Sequence, residues 1–214
     1  MSVDINKTWV FRIVPIQNLE HNLLHGLHCK SAGVIDPSYV SIGSTEIISR
    51  RDTVDVKCFP GTKVNDYVPF YFSVRTPMLY NIYTGMGVPK LPQEDIIYLC
   101  CKLSEMATEG HQWCFTDGNA ASIITQFFDD LGQLDKLDWH SIRTTDFRAN
   151  NADGDEDRVR KKHSEFLVKE HVPAERIKAI IVKNQEAGRK VNDILAKLAL
   201  NIPVHINPNQ KFYF

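Results

Sequence analysis

The sequence lacks any long apolar run. No stretch approaches the ~20 consecutive apolar residues that a transmembrane helix needs, so we expect no membrane span. Residues 1–4 carry neither a basic segment nor the start of an apolar one, which predicts that the chain has no secretory signal. Both absences favour a cytoplasmic protein.

Cysteine is scarce, and its pattern excludes a disulfide framework. The chain has five cysteines, an odd number, and no two of them form a CxxC motif. Disulfide-rich secreted domains and zinc ribbons need paired or regularly spaced cysteines. We therefore expect reduced thiols, which agrees with a location in the cytoplasm.

An excess of charge of either sign is also absent. The chain carries 25 Lys and Arg against 26 Asp and Glu, a formal net charge of −1. Such a chain should not coat duplex DNA non-specifically, because that binding scales with the number of phosphates neutralised. A local basic groove remains compatible with this balance. The hydrophobic fraction of 43% excludes an intrinsically disordered chain.

Common catalytic and metal-binding motifs are missing. Neither phosphate loop, GxxxxGK[S/T] or GxGxxG, occurs, and the GxSxG nucleophile motif is absent. His21, His25, His28 and Cys29 lie close together, but no acidic residue or second cysteine completes a zinc signature. The acidic stretch 151–157 has the wrong residues at positions 6 and 12 of a calcium loop. We expect no metal site.

The order of the predicted elements favours an α+β fold. Strands and helices do not alternate as regular βαβ units, which argues against a doubly wound sheet. The last predicted strand and helix are too short to form a core alone, so we expect a single domain over residues 1–214. Aromatic and β-branched residues predict strands at 8–14, 68–74, 95–103, 113–116, 177–182 and 203–206. Apolar spacing and helix-start residues predict helices from 19 with Asn18 as N-cap, from 77, over 120–128 and over 186–200. The polar stretch 138–157 is predicted to be irregular.

Two features of the remaining sequence suggest a binding or catalytic site. Arg50 and Arg51 end an irregular segment rich in Gly and Ser, where a guanidinium can bind a phosphate or a carboxylate with two hydrogen bonds. Glu165 leads into an apolar strand, where a partly desolvated carboxylate can act as a base. The alternative for Arg50 and Arg51 is a solvated pair of charges, which the residue pattern favours, and for Glu165 it is an exposed polar residue of a strand. The residue pattern alone therefore leaves a soluble α+β domain with an ordered binding loop.

Several strings, taken together, resemble the DarT family of DNA ADP-ribosyltransferase toxins. They occur in the expected order and span nearly the whole chain. The most specific is the block rich in Tyr and Phe that ends in Pro-Met-Leu-Tyr. The strings are WVFRIVPIQNL at 9–19, LLHGL at 23–27, IISRR at 47–51, DYVPFYFSVRTPMLY at 66–80, FTDGNA at 115–120 and EFLV at 165–168.

The resemblance implies a fold and an activity. DarT proteins are similar to the wider ADP-ribosyltransferases, whose split, twisted β-sheet core with peripheral helices holds NAD in a cleft. It implies that NAD serves as the co-substrate and that ADP-ribose is transferred onto a base of single-stranded DNA, thymine in one branch and guanine in another. It also implies a toxin–antitoxin pairing with the macrodomain protein DarG.

The resemblance also implies roles for individual residues. Glu165 would stabilise the oxocarbenium-like charge that forms as nicotinamide leaves, and Arg51 would contact NAD or polarise the base. The segment 31–51 would fold over NAD. The residues expected to bind NAD are Val14, Pro15, Ile16, Asn18, Ile48 and Arg51, and those expected to contact DNA are Arg75, Asn119 and Arg148.

Two positions depart from the family pattern, and two other functions stay open. Many relatives have His where Pro15 stands, and some have His where Asn119 stands. The first departure removes a side-chain contact to the ribose but keeps a backbone contact to nicotinamide. One alternative is an ADP-ribosyltransferase that acts on RNA or protein. The other is a non-catalytic module that binds NAD or nucleic acid.

Overall fold

The computed structural model of the chain describes residues 3–33, 38–108, 110–148 and 150–214. Its strands are β1 (Trp9–Pro15), β2 (Leu27–His28), β3 (Tyr67–Tyr71), β4 (Ile96–Lys102), β5 (Trp113–Thr116), β6 (Phe127–Phe128), β7 (Glu165–Lys169), β8 (His171–Val172), β9 (Ala179–Val182) and β10 (Val204–Ile206). Its α-helices are α1 (Leu19–His25), α2 (Thr45–Arg51), α3 (Pro77–Thr84), α4 (Leu103–Met106), α5 (Trp139–Arg143), α6 (Arg158–Lys162) and α7 (Gln185–Lys197).

The structure also contains short 3-10 helices. The 3-10 helices are Ile5–Lys7, Ile16–Asn18, Lys30–Ala32, Val64–Asp66, Gln93–Asp95, Leu131–Lys136, Ala174–Arg176 and Pro208–Gln210. In the parts of the chain that the structure describes, no helix combines the length and the apolar character needed to cross a bilayer. The five cysteines are free thiols, as their odd count predicts.

Eight strands form one mixed sheet in the order β10-β9-β4-β1-β3-β7-β5-β6. β9 and β10 are parallel, and the other neighbours are antiparallel. β2 and β8 pair separately. In β4, Ile96 to Cys101 are all buried, which explains why this strand is a continuous apolar run in the sequence. The sheet with its surrounding helices confirms the predicted α+β fold.

The sheet is nearly split between β1 and β3. β1 pairs with β4 at seven positions and β3 pairs with β7 at five, but β1 and β3 share one position, Phe11 opposite Tyr71. Tyr71 also lies opposite Glu165. Because residues that face each other across antiparallel strands point to the same side, Phe11, Tyr71 and Glu165 form a row across the split.

The two faces of the sheet are packed differently. One face buries a single large cluster, in which Val14, Leu99 and Phe166 pack with Leu19 of α1 and Val191 of α7. The opposite face carries two separate apolar clusters. One contains Ile13, Tyr98 and Tyr213, and the other contains Val56, Tyr67 and Leu167. Tyr71, which lies opposite Glu165, packs at the edge of the first of these two clusters. Ala120, whose N–H binds Glu165, belongs to the second. Glu165 therefore lies where the apolar packing is interrupted.

Three local predictions are wrong. The predicted helix over 120–128 is a loop that ends in β6, with Ile123 90% exposed. Asn18 does not cap α1 through its side chain, because its amide binds the backbone of Val40. The stretch 138–157, predicted to be irregular, contains α5. In each case a side chain binds the backbone of a distant or returning segment, and local propensity does not register such bonds.

Candidate active site

α2 brings Arg51 to the split in the sheet. The Ser44 hydroxyl accepts a hydrogen bond from the Ile47 N–H at 3.5 Å, which is the usual arrangement at the start of a helix. Asn65 Nδ2 donates to the carbonyl oxygen of Ile48 at 2.8 Å and ties the helix to the segment before β3. Arg51, the last residue of α2, is thereby held in place and is 9% exposed.

Glu165 is the first residue of β7 and the acidic partner of Arg51. Arg51 Nη1 donates to Glu165 Oε2 at 2.9 Å and to Oε1 at 3.2 Å. The Ala120 N–H donates to Oε1 at 2.9 Å. Glu165 is only 2% exposed, so a positive charge and a backbone N–H compensate for the water that its carboxylate loses.

The turn after β5 holds the backbone of Glu165. The Glu165 N–H donates to Thr116 Oγ1 at 3.1 Å, and that hydroxyl donates to the carbonyl oxygen of Gly118 at 2.7 Å. Glu165 is therefore connected to Thr116 through its backbone and to the β5–β6 loop through the Ala120 N–H. The carboxylate is fixed by the loop as well as by its own strand.

Arg51 retains an unused hydrogen-bond donor. Its Nη2 is buried and has no partner among the described residues, and the same is true of Arg12 Nε. Arg12 Nη1 donates to the carbonyl oxygen of Pro69 at 2.9 Å, across the split between β1 and β3. A buried donor without a partner is costly, so each of the two guanidinium groups favours an acceptor next to it.

Tyr71 and His163 lie next to the pair. Burial raises the pKa of the Tyr71 hydroxyl, and the charge of Glu165 raises it further, whereas Arg51 and Arg12 oppose that shift. Burial lowers the pKa of His163 below its usual value. The His163 Nδ1–H donates to the carbonyl oxygen of Val159 at 3.0 Å, and the two ring centroids of His163 and Tyr71 are 6.1 Å apart. Both side chains are neutral polar groups near neutral pH.

The residues expected to bind NAD lie at the end of β1 and in α2. Val14 and Ile16 point into the large cluster, so only their backbone atoms are available to a ligand. Asn18 Nδ2 donates to the Val40 carbonyl oxygen at 2.8 Å, and Asn18 Oδ1 accepts from the Val40 N–H at 3.0 Å. Pro15 is buried, and Ile48 is half-buried. Residues 34–37 of the expected NAD segment lie outside the described residues.

The residues expected to contact DNA have different surroundings. Asn119 is next to Ala120, and its side chain accepts from the Ala121 N–H at 2.9 Å. Arg75 donates to the carbonyl oxygens of Tyr213 at 2.6 Å and Gln210 at 2.7 Å, so its guanidinium anchors the last residues.

Arg148 lies on the surface, away from these contacts. Its side chain is exposed and pairs with Asp146 at 2.8 Å. Of the three expected DNA contacts, Asn119 alone adjoins a residue that binds Glu165.

Sequence reasoning missed several groups that the fold brings to Glu165. Ala120 and Thr116 act through a backbone N–H and a hydroxyl, neither of which stands out in a sequence. Asp117 and Gly118 predict a turn in the sequence, but they do not predict that this turn contacts β7. Arg12 carries a visible charge in the middle of a predicted strand, which is the one signal that points to a buried polar role.

The described residues hold no group of three His, Cys, Asp or Glu side chains arranged to bind a metal ion.

A family model described as "ssDNA thymidine ADP-ribosyltransferase, DarT" matches residues 11–214. The chain belongs to the DarT family.

Curated relatives agree with this assignment. The chain is 31% identical over 205 residues to the DNA ADP-ribosyl transferase of Escherichia coli O127:H6, covering 95% of this chain and 93% of that protein. It is 36% identical over 191 residues to the DNA ADP-ribosyl transferase of Thermus sp. strain 2.9, covering 88% and 87%. The resemblance found in the sequence is confirmed.

Solved structures share the fold. Thermus sp. 2.9 DarT in complex with ADP-ribosylated ssDNA superposes with a TM-score of 0.86 at 31% identity, over 97% of this chain and 96% of that one. The complex of the same protein with NAD+ gives 0.82 at 30% identity, over 97% and 98%. Thermosipho africanus DarTG in complex with ADP-ribose, at 22% identity, gives 0.73 over 96% of this chain and 51% of that one, and supports the fold alone.

Proposed function

We propose that this chain transfers ADP-ribose from NAD onto a thymine base of single-stranded DNA and releases nicotinamide. The observation that supports this most directly is the buried contact between Arg51 and Glu165 at the split in the sheet of a DarT-family chain. Glu165 and Arg51 come from elements 114 residues apart, and each supplies the charge that the reaction requires.

Glu165 is the catalytic carboxylate in this proposal. As the bond between nicotinamide and ribose breaks, positive charge develops on the anomeric carbon. A carboxylate fixed close to that carbon stabilises the charge without reorganising, because Ala120 and Arg51 already hold its oxygens. One oxygen, Oε2, has Arg51 as its single described donor and remains able to accept from a ribose hydroxyl.

Arg51 acts as an electrostatic partner. Its guanidinium stays protonated in proteins and is therefore a poor base. The free Nη2 is suited to an oxygen of NAD or to a carbonyl of the base, where it would stabilise negative charge on the ring. In the transfer, the C1′–nicotinamide bond breaks, a bond forms from thymine N3 to C1′, and the N3 proton leaves to solvent.

NAD is held, in the same proposal, by the end of β1 and the segment before α2. The backbone at Val14, Pro15 and Ile16 contacts nicotinamide, and Ile48 contributes apolar surface. Asn18 positions the segment through its two bonds to Val40. Because Pro15 has no N–H, its contribution is limited to its carbonyl oxygen and ring.

DNA enters beside the β5–β6 loop. Asn119 lies next to the N–H that holds Glu165, and the exposed pair of Arg148 with Asp146 is weak enough to exchange for a phosphate. Arg75 contributes positive charge while anchoring residues 210 and 213. The family assignment also supports a DarG antitoxin as the partner and the cytoplasm as the location.

Mass spectrometry of the reacted oligonucleotide tests the proposal. Purified protein with NAD should add one ADP-ribose to a single-stranded oligonucleotide that contains thymine, and none to a matched oligonucleotide without it. Glu165→Gln keeps the shape of the side chain but loses the charge, so the rate should fall about 100-fold or more. Near-wild-type activity of that variant would remove Glu165 from this role.

The acceptor class is decided in the same experiment. RNA of the same sequence and a protein extract are offered alongside the DNA, with folding checked by circular dichroism. Modification of RNA or protein in place of DNA, or no product from folded protein on any acceptor, would contradict the proposal.

A further inference from the structure

Four aromatic rings form a cluster on the surface, apart from the Arg51–Glu165 pair. We name the cluster of Tyr80, Tyr83, Phe147 and Phe214 the aromatic platform. The ring of Phe214 lies 5.4 Å from that of Tyr80 and 6.4 Å from that of Tyr83, between centroids, and its plane is within 10° of the Tyr83 plane. Phe147 completes the cluster at 5.9 Å from Tyr80.

The platform is exposed even though its rings are apolar. Tyr80 is 37% exposed, Tyr83 42% and Phe214 36%. Each of these three residues leaves more than a third of its surface open to solvent, and an exposed apolar patch of this kind marks a binding site. Met86, 62% exposed just beyond α3, lies on the chain that leaves Tyr83 and extends the apolar character of this end of the helix.

Hydrogen bonds hold the platform in place. Gln93 Nε2 donates to the Phe214 carbonyl oxygen at 3.0 Å, and the Phe214 N–H donates to Gln93 Oε1 at 2.8 Å. The guanidinium of Arg75 lies 5.8 Å from the centre of the Phe214 ring while it donates to Tyr213 and Gln210. A ligand therefore meets rings that are already ordered, which reduces the entropy cost of binding.

Basic side chains border the platform. Arg148 follows Phe147 in the chain and is exposed. Next to Tyr83, an open cleft of about 390 Å³ is lined by Lys90 and by Lys183 and Glu94, which pair with each other at 3.6 Å. Within the ranges that the structure describes, no acidic side chain pairs with Lys90. Exposed rings bordered by basic side chains are the combination that binds single-stranded nucleic acid, through stacked bases and neutralised phosphates.

The platform is close to the proposed reaction centre. Tyr71 lies opposite Glu165, and Arg75 is four residues further along, at most about 14 Å away for an extended chain. Lys162, three residues before Glu165, donates to Ser73 in the same segment. Arg75, whose guanidinium lies 5.8 Å from the centre of the Phe214 ring, connects the segment after β3 to the platform.

We propose that the aromatic platform binds the bases of single-stranded DNA that flank the modified thymine. Tyr83 and Phe214 stack on these bases, and Lys90 and Arg148 contact the phosphates beside them. This inference rests on the proposed function, because it assigns a second contact surface to the same substrate. The inference predicts that affinity depends on the length of the oligonucleotide. Contacts at Glu165 alone would not require such a dependence.

The test compares binding of a long and a short oligonucleotide in the absence of NAD. Fluorescence anisotropy is measured with a 15-nucleotide strand that has one central thymine and with a trinucleotide centred on thymine. Tyr83→Ala should weaken binding of the long strand about ten-fold and leave binding of the trinucleotide unchanged. Tyr83→Phe keeps the ring and should bind like wild type, and Leu200→Ala serves as a control at an exposed apolar residue elsewhere.

Each outcome separates the inference from the proposed function. Equal affinity of the wild type for both lengths, or an unchanged affinity of Tyr83→Ala for the long strand, would overturn the platform assignment even if thymine is modified. Length-dependent binding that Tyr83→Ala reduces would support the platform even if no base is modified. Loss of NAD cleavage in Tyr83→Ala without DNA would instead indicate damage to the active site and count against the platform.

Discussion

Arg51 and Glu165 are a buried ion pair whose members depend on each other. Their side chains are 11% and 3% exposed, so neither charge is well solvated when its partner is removed. Removing one member of such a pair costs more than the pair contributes, because the other charge stays buried without compensation. Stability and the proposed catalytic role are therefore linked at this site.

A double-mutant cycle measures that link. Glu165→Ala and Arg51→Ala should each lower the free energy of unfolding by about 3–5 kcal/mol. The double variant should be clearly more stable than the sum of the two losses predicts, because no unpaired charge remains. Urea denaturation followed by circular dichroism gives all four values. Additive losses would show that the two side chains are energetically independent.

Lys162 introduces a pH dependence of stability. Its Nζ donates to Ser73 and to the Ile142 carbonyl oxygen in a buried position. Burial, with a smaller contribution from the charge of Arg75, lowers the pKa of Lys162 to about 7. An unfolded lysine has a pKa of about 10.4, so between these values the unfolded chain binds more protons than the folded one.

Lys162 should consequently make the free energy of unfolding rise with pH between about 7 and 10. Below pH 7 the contribution of Lys162 should stay constant. The rise due to Lys162 is at most about 5 kcal/mol, at 1.36 kcal/mol for each unit of pKa difference. Urea denaturation at pH 7 and pH 9.5 compares wild type with Lys162→Met, which should lose this rise. The exposed Lys197→Met is the matched control. Identical pH dependence in wild type and Lys162→Met would refute the assignment.

The sequence strings located the charged residues of the site but not their hydrogen-bond partners. Glu165 and Arg51 were found because they lie in family strings and carry charge. The Ala120 N–H belongs to a residue with no functional group, and its bond to Glu165 exists only after β5 and β7 have paired. Which backbone N–H group binds a functional side chain is determined by the tertiary structure.

At the scale of elements, Asn18 connects the end of β1 to the segment before α2. Both atoms of its amide bind the backbone of Val40, and the residue is 2% exposed. The contact positions the chain that leads into α2 and Arg51. Asn18 is thus a positioning residue for the proposed NAD site.

Asn18→Ala should raise KM for NAD about ten-fold and leave kcat nearly unchanged, because the segment is less ordered before NAD binds. Asn18→Asp keeps one acceptor for the Val40 N–H and should fall between alanine and wild type. Asn192→Ala, at an exposed position of α7, controls for loss of an amide. Steady-state kinetics with varied NAD decide the question, and a fall in kcat at constant KM would argue for a direct catalytic role.

The β5–β6 loop shows why local propensity failed at 120–128. Arg160 Nη1 donates to Asp117 and to Thr125, and Thr125 Oγ1 donates to the Asn119 carbonyl oxygen at 2.8 Å. Lys57 Nζ donates to the carbonyl oxygen of Thr125 at 2.8 Å. These side chains come from three parts of the chain, and their bonds replace the backbone bonds that a helix would make.

At the scale of the whole molecule, the last residues close the apolar cluster beneath α3. Tyr213 is 2% exposed, and its hydroxyl lies 2.9 Å from the carbonyl oxygen of Ile96 and 3.0 Å from that of Ile181. The ring packs with Tyr98 in the cluster next to the split. Residues far apart in sequence are joined here, across β4 and β9.

Tyr213→Ala should lower the free energy of unfolding by about 3–5 kcal/mol, because a large buried ring is lost and a cavity remains. Tyr213→Phe loses only the hydrogen bond and should cost about 1 kcal/mol. Both values come from chemical denaturation of purified protein. A Tyr213→Ala variant as stable as wild type would mean that the last residues contribute little to folding.

Much of the strand content was predictable, but the strand order was not. β1, β4, β5, β9 and β10 were predicted from aromatic and β-branched runs, which report burial directly. The position of β7 between β3 and β5 depends on contacts between distant segments and leaves no periodic signal. The row of Phe11, Tyr71 and Glu165 follows from that order, so the sequence alone could not reveal it.

The insertion of β7 between β3 and β5 has a consequence for synthesis. Both neighbours of β7 are translated before it, and 114 residues separate Arg51 from Glu165. At about 5–20 residues per second, a ribosome needs roughly 6–20 s to cover that interval. A nascent chain halted anywhere before β7 has an open gap in its sheet and lacks Glu165, the carboxylate proposed to act in catalysis. We therefore expect a product truncated before β7 to lack ADP-ribosyltransferase activity.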